Sequence, residues 1–153
     1  MSAEPALRSA VERDLAAIRA VARAAYAPYV ARIGREPAPM VADFASAIAA
    51  GQMVVVDLDG AVVGFAVRYR RGDHVHLENV AVAPDAQGRG VGRLLIDETE
   101  ALAATLGLSA VELYTNAKMT ENLALYPRLG YVETDRRSED GFDRVYFRKP
   151  LAR

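Results

Sequence analysis

The sequence predicts an α/β fold, in which helices cover both faces of a mixed β-sheet, and three observations support this prediction. Apolar runs of strand length alternate along the chain with segments of helical periodicity. Three consecutive strands are joined by hairpin turns, whereas the later strands alternate with helices, and this combination is typical of a mixed sheet. The length of 153 residues suits one domain with its own core, so we expect a single domain over residues 1–153.

The first third of the chain predicts one strand and two helices. Residues 6–10 are expected to form a short strand at a sheet edge. Asp14 is suited to cap a helix that continues to about Tyr29, because apolar side chains repeat along one side of that segment. One glycine and two prolines then break any helix within residues 31–40. A second short helix is predicted over residues 41–50, where a glycine follows.

The middle of the chain predicts three strands joined by hairpins. The first covers residues 53–57, and Asp-Leu-Asp-Gly at 57–60 is a hairpin turn. The returning strand covers residues 61–69, and the turn at 70–73 leads into a third strand over residues 74–82. These three strands should therefore be sequential neighbours in the sheet.

The second half of the chain alternates helices with strands. A helix is predicted to begin near Gly90 and to end at Gly107. Its apolar face should consist of Val91, Leu94, Leu95, Leu102 and Leu106. The remaining predicted elements are a strand at 110–115, a helix at 122–129 and strands at 131–135 and 142–149. The complete order is β-α-α-β-β-β-α-β-α-β-β.

Charge and composition exclude several classes of function. The 19 basic and 20 acidic residues are spread along the chain, and no basic stripe with interleaved aromatic residues indicates a nucleic-acid partner. The chain has no cysteine, which excludes disulfides, a thiol nucleophile and zinc–thiolate sites. Its start does not resemble a signal peptide, and no apolar run approaches the roughly 20 residues of a membrane span. We therefore expect a cytoplasmic protein without a membrane partner.

Residues 79–92 combine a strand end, a turn and a helix start in a pattern that favours phosphate binding. Pro84 stops the strand because proline has no N–H to give to a neighbouring strand. Gly88, Gly90 and Gly92 follow at every second position, and glycine allows the backbone to approach a ligand closely. The N–H groups at a helix start bind anions, and Arg89 adds a charged fork. The pattern predicts a pyrophosphate site.

Three kinds of phosphate site compete for this pattern. A P-loop requires Gly-Lys-Ser/Thr, which is not present here. A dinucleotide fingerprint requires G-x-G-x-x-G, whereas the spacing here is G-x-G-x-G. The stretch from Val80 to Val82, followed by Pro84 and Gln87–Gly92, closely resembles the Q/R-x-x-G-x-G/A motif of the GCN5-related N-acetyltransferases, the GNAT family.

A second stretch resembles another element of the same family. Residues 122–131, Asn-Leu-Ala-Leu-Tyr-Pro-Arg-Leu-Gly-Tyr, are similar to the pattern A-x-x-L-Y-x-x-x-G-F/Y, in which a short helix carries a tyrosine beside the thioester. The chain departs from the pattern at one place, because Met119 stands where the family usually has an asparagine and Asn122 takes the usual alanine position. The family's pantetheine contact is therefore carried over to Asn122.

The resemblance covers essentially the whole chain and implies the GNAT acyl-coenzyme A N-acyltransferase fold. It implies an acetyl group moved from acetyl-coenzyme A to a primary amine of a small molecule or peptide, by direct transfer in a ternary complex. Two alternatives stay open, a non-catalytic acyl-coenzyme A sensor and an acyltransferase with another acyl chain or acceptor. The family habit of homodimerisation is also compatible with exposed edge strands. The implied cofactor-binding residues are Val80, Ala81, Val82, Gln87, Gly88, Arg89, Gly90, Val91, Gly92, Asn122 and Tyr126.

The resemblance also assigns catalytic roles. Tyr126 is expected to protonate the departing thiolate or to bind the thioester sulfur, the alternative being a tyrosine that only packs under the next strand. The amine must lose a proton, because a lysine-type amine with a pKa of about 10.4 is charged at pH 7. His76 and Glu78 alternate along their strand and project from one face, so each is a candidate base, directly or through water. A solvated polar face is the alternative for both residues.

Acceptor binding and metal binding complete the expectations from sequence. Tyr26, Tyr29 and Arg32 belong to the segment that we expect to cover the cleft, where an acidic or carboxylate-bearing acceptor would meet them; a solvated loop is the alternative. His74 and His76 would need a third ligand to hold a metal, so we expect no metal.

Overall fold

The computed structural model describes residues 4–151, and the elements in this part of the chain follow the predicted order. The strands are β1 (Ala6–Ser9), β2 (Met53–Leu58), β3 (Ala61–Arg71), β4 (His74–Val82), β5 (Ala110–Asn116), β6 (Val132–Glu139) and β7 (Phe142–Pro150). The α-helices are α1 (Leu15–Ile33), α2 (Phe44–Ala49), α3 (Val91–Thr105) and α4 (Thr120–Arg128). The strands form a mixed sheet in the order β1-β2-β3-β4-β5-β7-β6, which confirms the predicted fold class.

The chain divides into two compact units. The first contains the chain up to Arg68 together with Asn79–Glu98, and the second contains Tyr69–Glu78 together with the chain from Thr99. Both β4 and α3 contribute residues to each unit, so the division does not follow the order of the sequence. Their geometry is therefore described separately.

In the first unit, β1, β2 and β3 form an antiparallel meander. Val56 and Asp57 flank a register shift in the β2–β3 pairing. The turn between these strands places Asp59 at φ 54° and Gly60 at φ 80°, as a two-residue hairpin with two positive φ angles requires. The core includes an edge-to-face pair formed by Phe44 of α2 and Phe65 of β3, with ring centroids 5.2 Å apart.

In the second unit, β4 and β5 are parallel and the other pairings are antiparallel. His74 pairs with Ala110 at one end of the parallel register, and β5 pairs along its whole length with β7. Strand β6 pairs with β7 at the sheet edge, and the side chains of residues 132–138 are all exposed. A strand without a buried face has no apolar alternation, so the sequence predicted only residues 131–135 of it.

Helix boundaries differ from the prediction in the first unit. Helix α1 continues past the predicted end at Tyr29 and through Pro28 to Ile33, and Gly34 ends it at φ 86°. Helix α2 starts at Phe44 instead of residue 41, because the carboxylate of Asp43 accepts a hydrogen bond from the N–H of Ser46. A proline-containing 3-10 turn over Ala38–Val41 precedes it.

Asp14 precedes α1, but its carboxylate does not cap that helix. It accepts hydrogen bonds from the guanidinium of Arg8 at 2.8 and 2.9 Å and from the N–H of Val11 at 2.8 Å. The bond with Arg8 is the main cause that lowers the pKa of Asp14 to about 2. Asp14 thus links β1 to the start of α1 by an ion pair.

The apolar face of α3 is close to the predicted one. Val91 and Leu95 are fully buried, whereas Leu106, beyond the last turn of the helix, is 45% exposed. Thr99 and Ala103, which were not predicted to belong to this face, are buried. None of the helices in the described range is both long enough and apolar enough to cross a membrane.

Candidate active site

The turn after β4, residues 87–92, is exposed over residues 87–90 and owes its shape to glycine. A 3-10 turn over Pro84–Ala86 follows the strand, and Gly88 and Gly90 then take φ angles of 81° and 82° before α3 begins at Val91. A Cβ at Gly88 or Gly90 would meet no atom within 4 Å, so the backbone angle requires glycine while the space around it is open. We call residues 87–92 the glycine turn.

The glycine turn rests on a close approach between a helix and two strands of the first unit. A Cβ on Gly64 of β3 would lie 2.8 Å from Cγ1 of Val91 and 3.1 Å from the carbonyl oxygen of Ala81. The N–H of Ala83 donates to the carbonyl of Val63 at 2.8 Å, which fixes the end of β4. The sequence did not single out Gly64, because its role depends on a contact with residues 17 to 27 positions away.

The glycine turn has the features of an anion site, as the sequence predicted. It leads into the N-terminus of a helix of 15 residues, and Gln87, Gly88, Arg89 and Gly90 are all exposed. Within residues 4–151, the guanidinium of Arg89 forms no ion pair, so its charge is available to a ligand. Val91 is buried, so its side chain anchors the turn and only its backbone is left for a ligand.

The end of β4 is tied to the segment that precedes α2. The hydroxyl of Tyr26 lies 2.7 Å from Oδ1 of Asn79 and 3.0 Å from the carbonyl oxygen of Val80, and Nδ2 of Asn79 donates to the carbonyl of Pro39 at 3.0 Å. Tyr26 and Asn79 are both buried. The hydroxyl of Tyr26, which was predicted to bind the acceptor, therefore contacts the end of β4 instead. Asn79 is a positioning residue that the sequence analysis missed.

The other two predicted acceptor residues are near the end of α1. The guanidinium of Arg32 lies 5.1 Å from the ring centroid of Tyr29, within the range of a cation–π contact. Arg32 is exposed and Tyr29 is partly exposed, so both are open to solvent.

In the second unit, Tyr126 presents a protonated phenol in an apolar setting. Its ring packs against Tyr131 and Phe147, with centroids 5.8 and 5.7 Å away, and burial raises its pKa to about 12. Its hydroxyl has no hydrogen-bond partner in the described part of the chain, yet no buried polar side-chain atom there is unsatisfied. The hydroxyl is therefore a donor that no residue of the described chain uses.

Asn122 lies on the same helix as Tyr126 and is held by β5. Its Nδ2 donates to Oγ1 of Thr115 at 3.1 Å and lies 3.7 Å from the sulfur of Met119. These contacts orient the amide and leave its oxygen as the group that a ligand could use.

The two candidate bases differ in environment. His76 is 5% exposed and lies between the rings of Tyr69 and Tyr114, with centroids 5.6 and 5.8 Å away. Burial, together with the nearby charge of Arg71, lowers the pKa of His76 to about 4. Glu78 is exposed, and its carboxylate accepts a hydrogen bond of 3.1 Å from the hydroxyl of Tyr69.

His74 belongs to a charged cluster at the start of β4. Its ring nitrogens lie 2.9 Å from Asp73 and 3.5 Å from Glu112. These three residues bring ligand atoms within 4.8 Å of one another, as a cation site would. The guanidinium of Arg148, however, already donates to both carboxylates and offsets part of their charge. The cluster thus serves to join β4, β5 and β7.

The chain is similar to known acetyltransferases in sequence. The family model described as the acetyltransferase (GNAT) family matches residues 18–131. A mycothiol acetyltransferase of Pseudarthrobacter chlorophenolicus is 41% identical over 92 residues, which cover 56% of this chain and 28% of that protein. A ribosomal protein bS18 alanine N-acetyltransferase of Salmonella typhimurium is 35% identical over 75 residues, covering 49% of this chain and 51% of that protein. The chain thus spans less than a third of the mycothiol acetyltransferase and about half of the second relative.

The fold is also that of solved acetyltransferase structures. The PaiA N-acetyltransferase of Thermoplasma acidophilum, in complex with coenzyme A, superimposes with a TM-score of 0.77 at 16% identity, over 97% of this chain and 99% of that one. At this identity, the likeness concerns the fold alone.

Proposed function

Because the chain belongs to the GNAT acetyltransferase family, we propose that it moves an acetyl group from acetyl-coenzyme A to a primary amine, directly and in a ternary complex. The observation that supports this most is the glycine turn. Gly88 and Gly90 have positive φ angles in open space, next to an unpaired Arg89 and the start of α3, within the range that the family model matches.

Three sets of residues would hold acetyl-coenzyme A, which supplies an activated thioester when bound. The exposed N–H groups and Arg89 of the glycine turn suit the pyrophosphate. The backbone of Val80, Ala81 and Val82 suits the pantetheine, and its N–H groups are the natural donors to a developing oxyanion. Asn122 would add an amide contact.

Tyr126 has the properties of a proton donor to the departing sulfur. With a pKa of about 12, its phenol keeps its proton at every working pH, whereas an ordinary thiol has a pKa of about 8.5. Its hydroxyl is not committed to another residue of the described chain. Because burial disfavours the phenolate, the phenol serves as a hydrogen-bond donor that stabilises the departing thiolate, and not as a strong acid.

Glu78 is the better of the two candidate bases. Protonation of His76 would place a cation in buried surroundings near Arg71, and its lowered pKa reflects that cost. Protonation of Glu78 neutralises a charge at an exposed position, from which the proton can pass to water. We therefore assign proton acceptance to Glu78, through water, and a neutral packing role to His76.

The acceptor is a primary amine of a small molecule or a peptide. The names of the relatives point to both kinds, since one is named a mycothiol acetyltransferase and the other a ribosomal protein bS18 alanine N-acetyltransferase. No metal is required, because the amine nucleophile and the thioester react by positioning and proton transfer.

The proposed function is tested first by ligand-dependent unfolding. Acetyl-coenzyme A and coenzyme A at 100 times their Kd should each raise the unfolding midpoint by about 5–10 °C, whereas ATP and NAD should not. A shift with ATP or NAD and none with acetyl-coenzyme A would contradict the proposal.

The substitution Tyr126→Phe then separates an enzyme from a sensor. Thiol release in the presence of an amine panel should fall by about 100-fold or more, since a positioned acid contributes that much, while the affinity for coenzyme A stays unchanged. Tyr131→Phe is the matched control. The ring of Tyr131 packs against Tyr126, but its hydroxyl donates to Glu100, so this variant also removes one phenol hydroxyl from the same ring pair. Wild-type protein that binds acetyl-coenzyme A but releases no thiol with any amine would be a sensor.

A further inference from the structure

A cavity of about 440 Å³ lies entirely within the second unit and does not involve the glycine turn. Its volume is in the range of small-molecule sites in proteins. Its walls come from β3, β4, β5, β6 and β7 and are mostly charged or aromatic. The lining residues that matter here are Arg71, His76, Tyr114, Arg137, Glu139 and Arg144. We call it the polar cavity.

The polar cavity has a preformed aromatic wall. Tyr114 of β5 and Tyr146 of β7 are direct cross-strand partners with ring centroids 5.4 Å apart. His76 and then Tyr69 continue this aromatic row across β4 and β3, with successive centroids 5.8 and 5.6 Å apart. Rings fixed by neighbours offer contact area to a ligand at little cost in conformational entropy.

Arg144 places a positive charge beside the aromatic wall, and no carboxylate of the described chain lies close to its guanidinium. Its guanidinium lies 4.5 Å from the ring centroid of Tyr114, and its side chain is only 11% exposed. Its ion-pair partner is Asp140, at 3.7 Å and with a side chain that is 84% exposed. A guanidinium withdrawn from water gains most from a close, bidentate anion, which Asp140 does not provide.

Two further arginines add to the positive charge. Arg137 stands directly opposite Arg144 in the β6–β7 register, and like charges in that position repel each other. Asp135 pairs with Arg137 at 2.6 Å and so compensates only that residue. Arg71 has no ion-pair partner within residues 4–151. An anion in the polar cavity would relieve the repulsion and complete the pairing.

The opposite charge is also present, which limits the kind of ligand. Glu139 lines the polar cavity and accepts a hydrogen bond from the hydroxyl of Tyr146, and Glu112 lines it as well. His76 lines the polar cavity as well, and it makes no hydrogen bond in the described chain. Glu112 is already paired with Arg148, so Glu139 is the carboxylate that disfavours a dianionic phosphate and favours a ligand that carries one carboxylate and one amine.

We propose that the polar cavity binds an amine that also carries a carboxylate, with Arg144 and Arg71 on the carboxylate, and that this molecule is the acetyl acceptor. The last part rests on the proposed function. The specificity would then come from residues of β3 and β7, and not from the segment around Tyr29 and Arg32 that the sequence indicated.

The test uses three probes that share a primary amine on the same carbon chain. L-Lysine carries a carboxylate, L-lysinamide replaces it with a neutral amide, and cadaverine has neither group. Calorimetry without acetyl-coenzyme A should show lysine binding about 10-fold or more tightly than lysinamide, the scale of a charge-assisted hydrogen bond. Phosphoethanolamine serves as the phosphate arm, and tighter binding of that probe than of lysine would overturn the choice of a carboxylate.

Substitutions test whether the preference for lysine over lysinamide arises in the polar cavity. Arg144→Gln should remove the preference for lysine over lysinamide, while Arg136→Gln should preserve it, because Arg136 is exposed on the same hairpin and pairs with Glu133. If Arg144→Gln does not fold, Arg71→Gln at an exposed position supplies the test, with a reduction of about threefold or more. Equal binding of the two probes, or a preference that survives both variants, would overturn the proposal.

Thiol release with the same probes separates this proposal from the proposed function. Lysine preference in binding without thiol release from any amine would overturn acetyl transfer and leave the polar cavity as a carboxylate-amine site. Thiol release with equal efficiency for lysine, lysinamide and cadaverine would support acetyl transfer and overturn the role of the polar cavity.

Discussion

The glycine turn and the polar cavity, as the two proposed ligand sites, would offer polar groups by opposite means. The turn offers backbone N–H groups, and its shape depends on the φ angles of Gly88 and Gly90. The cavity offers side chains, which are held by stacking and register between strands, as Arg144 is held over Tyr114. Substitution should therefore damage the turn through backbone strain and packing, and the cavity through charge and burial.

The largest effect should come from the packing beneath the glycine turn. Gly64→Ala would place a Cβ 2.8 Å from Cγ1 of Val91, so we expect a loss of up to about 3 kcal/mol in the free energy of unfolding. Chemical denaturation measures it. Val91→Ala in the same chain should recover part of the loss, but not all, because the carbonyl oxygen of Ala81 would remain 3.1 Å away. A stable Gly64→Ala protein with normal affinity for coenzyme A would contradict the packing argument.

The polar cavity should make stability depend on pH through His76. Its pKa is about 4 in the folded protein, against about 6.5 for a free histidine, so the unfolded chain binds more protons between these values. The stability contributed by neutral His76 is complete above pH 6.5 and is lost as the pH falls toward 4.

The matched comparison is His76→Gln. Between pH 7 and pH 5 the wild type should lose about 2 kcal/mol more of unfolding free energy than the variant, as measured by denaturation at both pH values. Parallel losses in the two proteins would show that His76 is not buried in the neutral form.

A smaller effect sharpens the distinction between strain and function. Gly90→Ala and Gly60→Ala each place alanine at a φ angle near 80° in open space, so each should cost about 1–2 kcal/mol of stability. Only Gly90→Ala should also weaken coenzyme A binding, by about 5- to 30-fold, because binding must restore the strained angle. Calorimetry with both variants checks this, and equal loss of affinity in the two would mean that the turn is not the site.

The glycine turn could be predicted from sequence because its parts are contiguous. The strand end, the turn and the helix start all lie within residues 80–92, so a short stretch of sequence is enough to predict them. The predicted order of elements was confirmed. The β6 strand was only partly predicted, because its exposed side chains lack a period of two. The end of α1 was missed because Pro28 does not stop the helix, whereas Gly34 does.

The polar cavity could not be predicted because its parts are distant in sequence. His76, Tyr114 and Arg144 meet only through the pairing of β4 with β5 and of β5 with β7. No periodicity links a tyrosine to an arginine 30 positions later. Gly64 and Asn79 were missed for the same reason, since each is defined by a contact with another element. The roles of Tyr126, Glu78 and the glycine turn remain proposals that the measurements above decide.

The aromatic row also gives this protein an optical reporter of its own. The chain contains no tryptophan and seven tyrosines, so its ultraviolet emission is tyrosine emission. Tyr69, Tyr114 and Tyr146 belong to the row, with neighbouring ring centroids less than 6 Å apart through His76. A molecule that enters the polar cavity touches two of these fluorophores directly. The proposed binding of the acceptor in the polar cavity can therefore be tested in the unmodified protein, without a label.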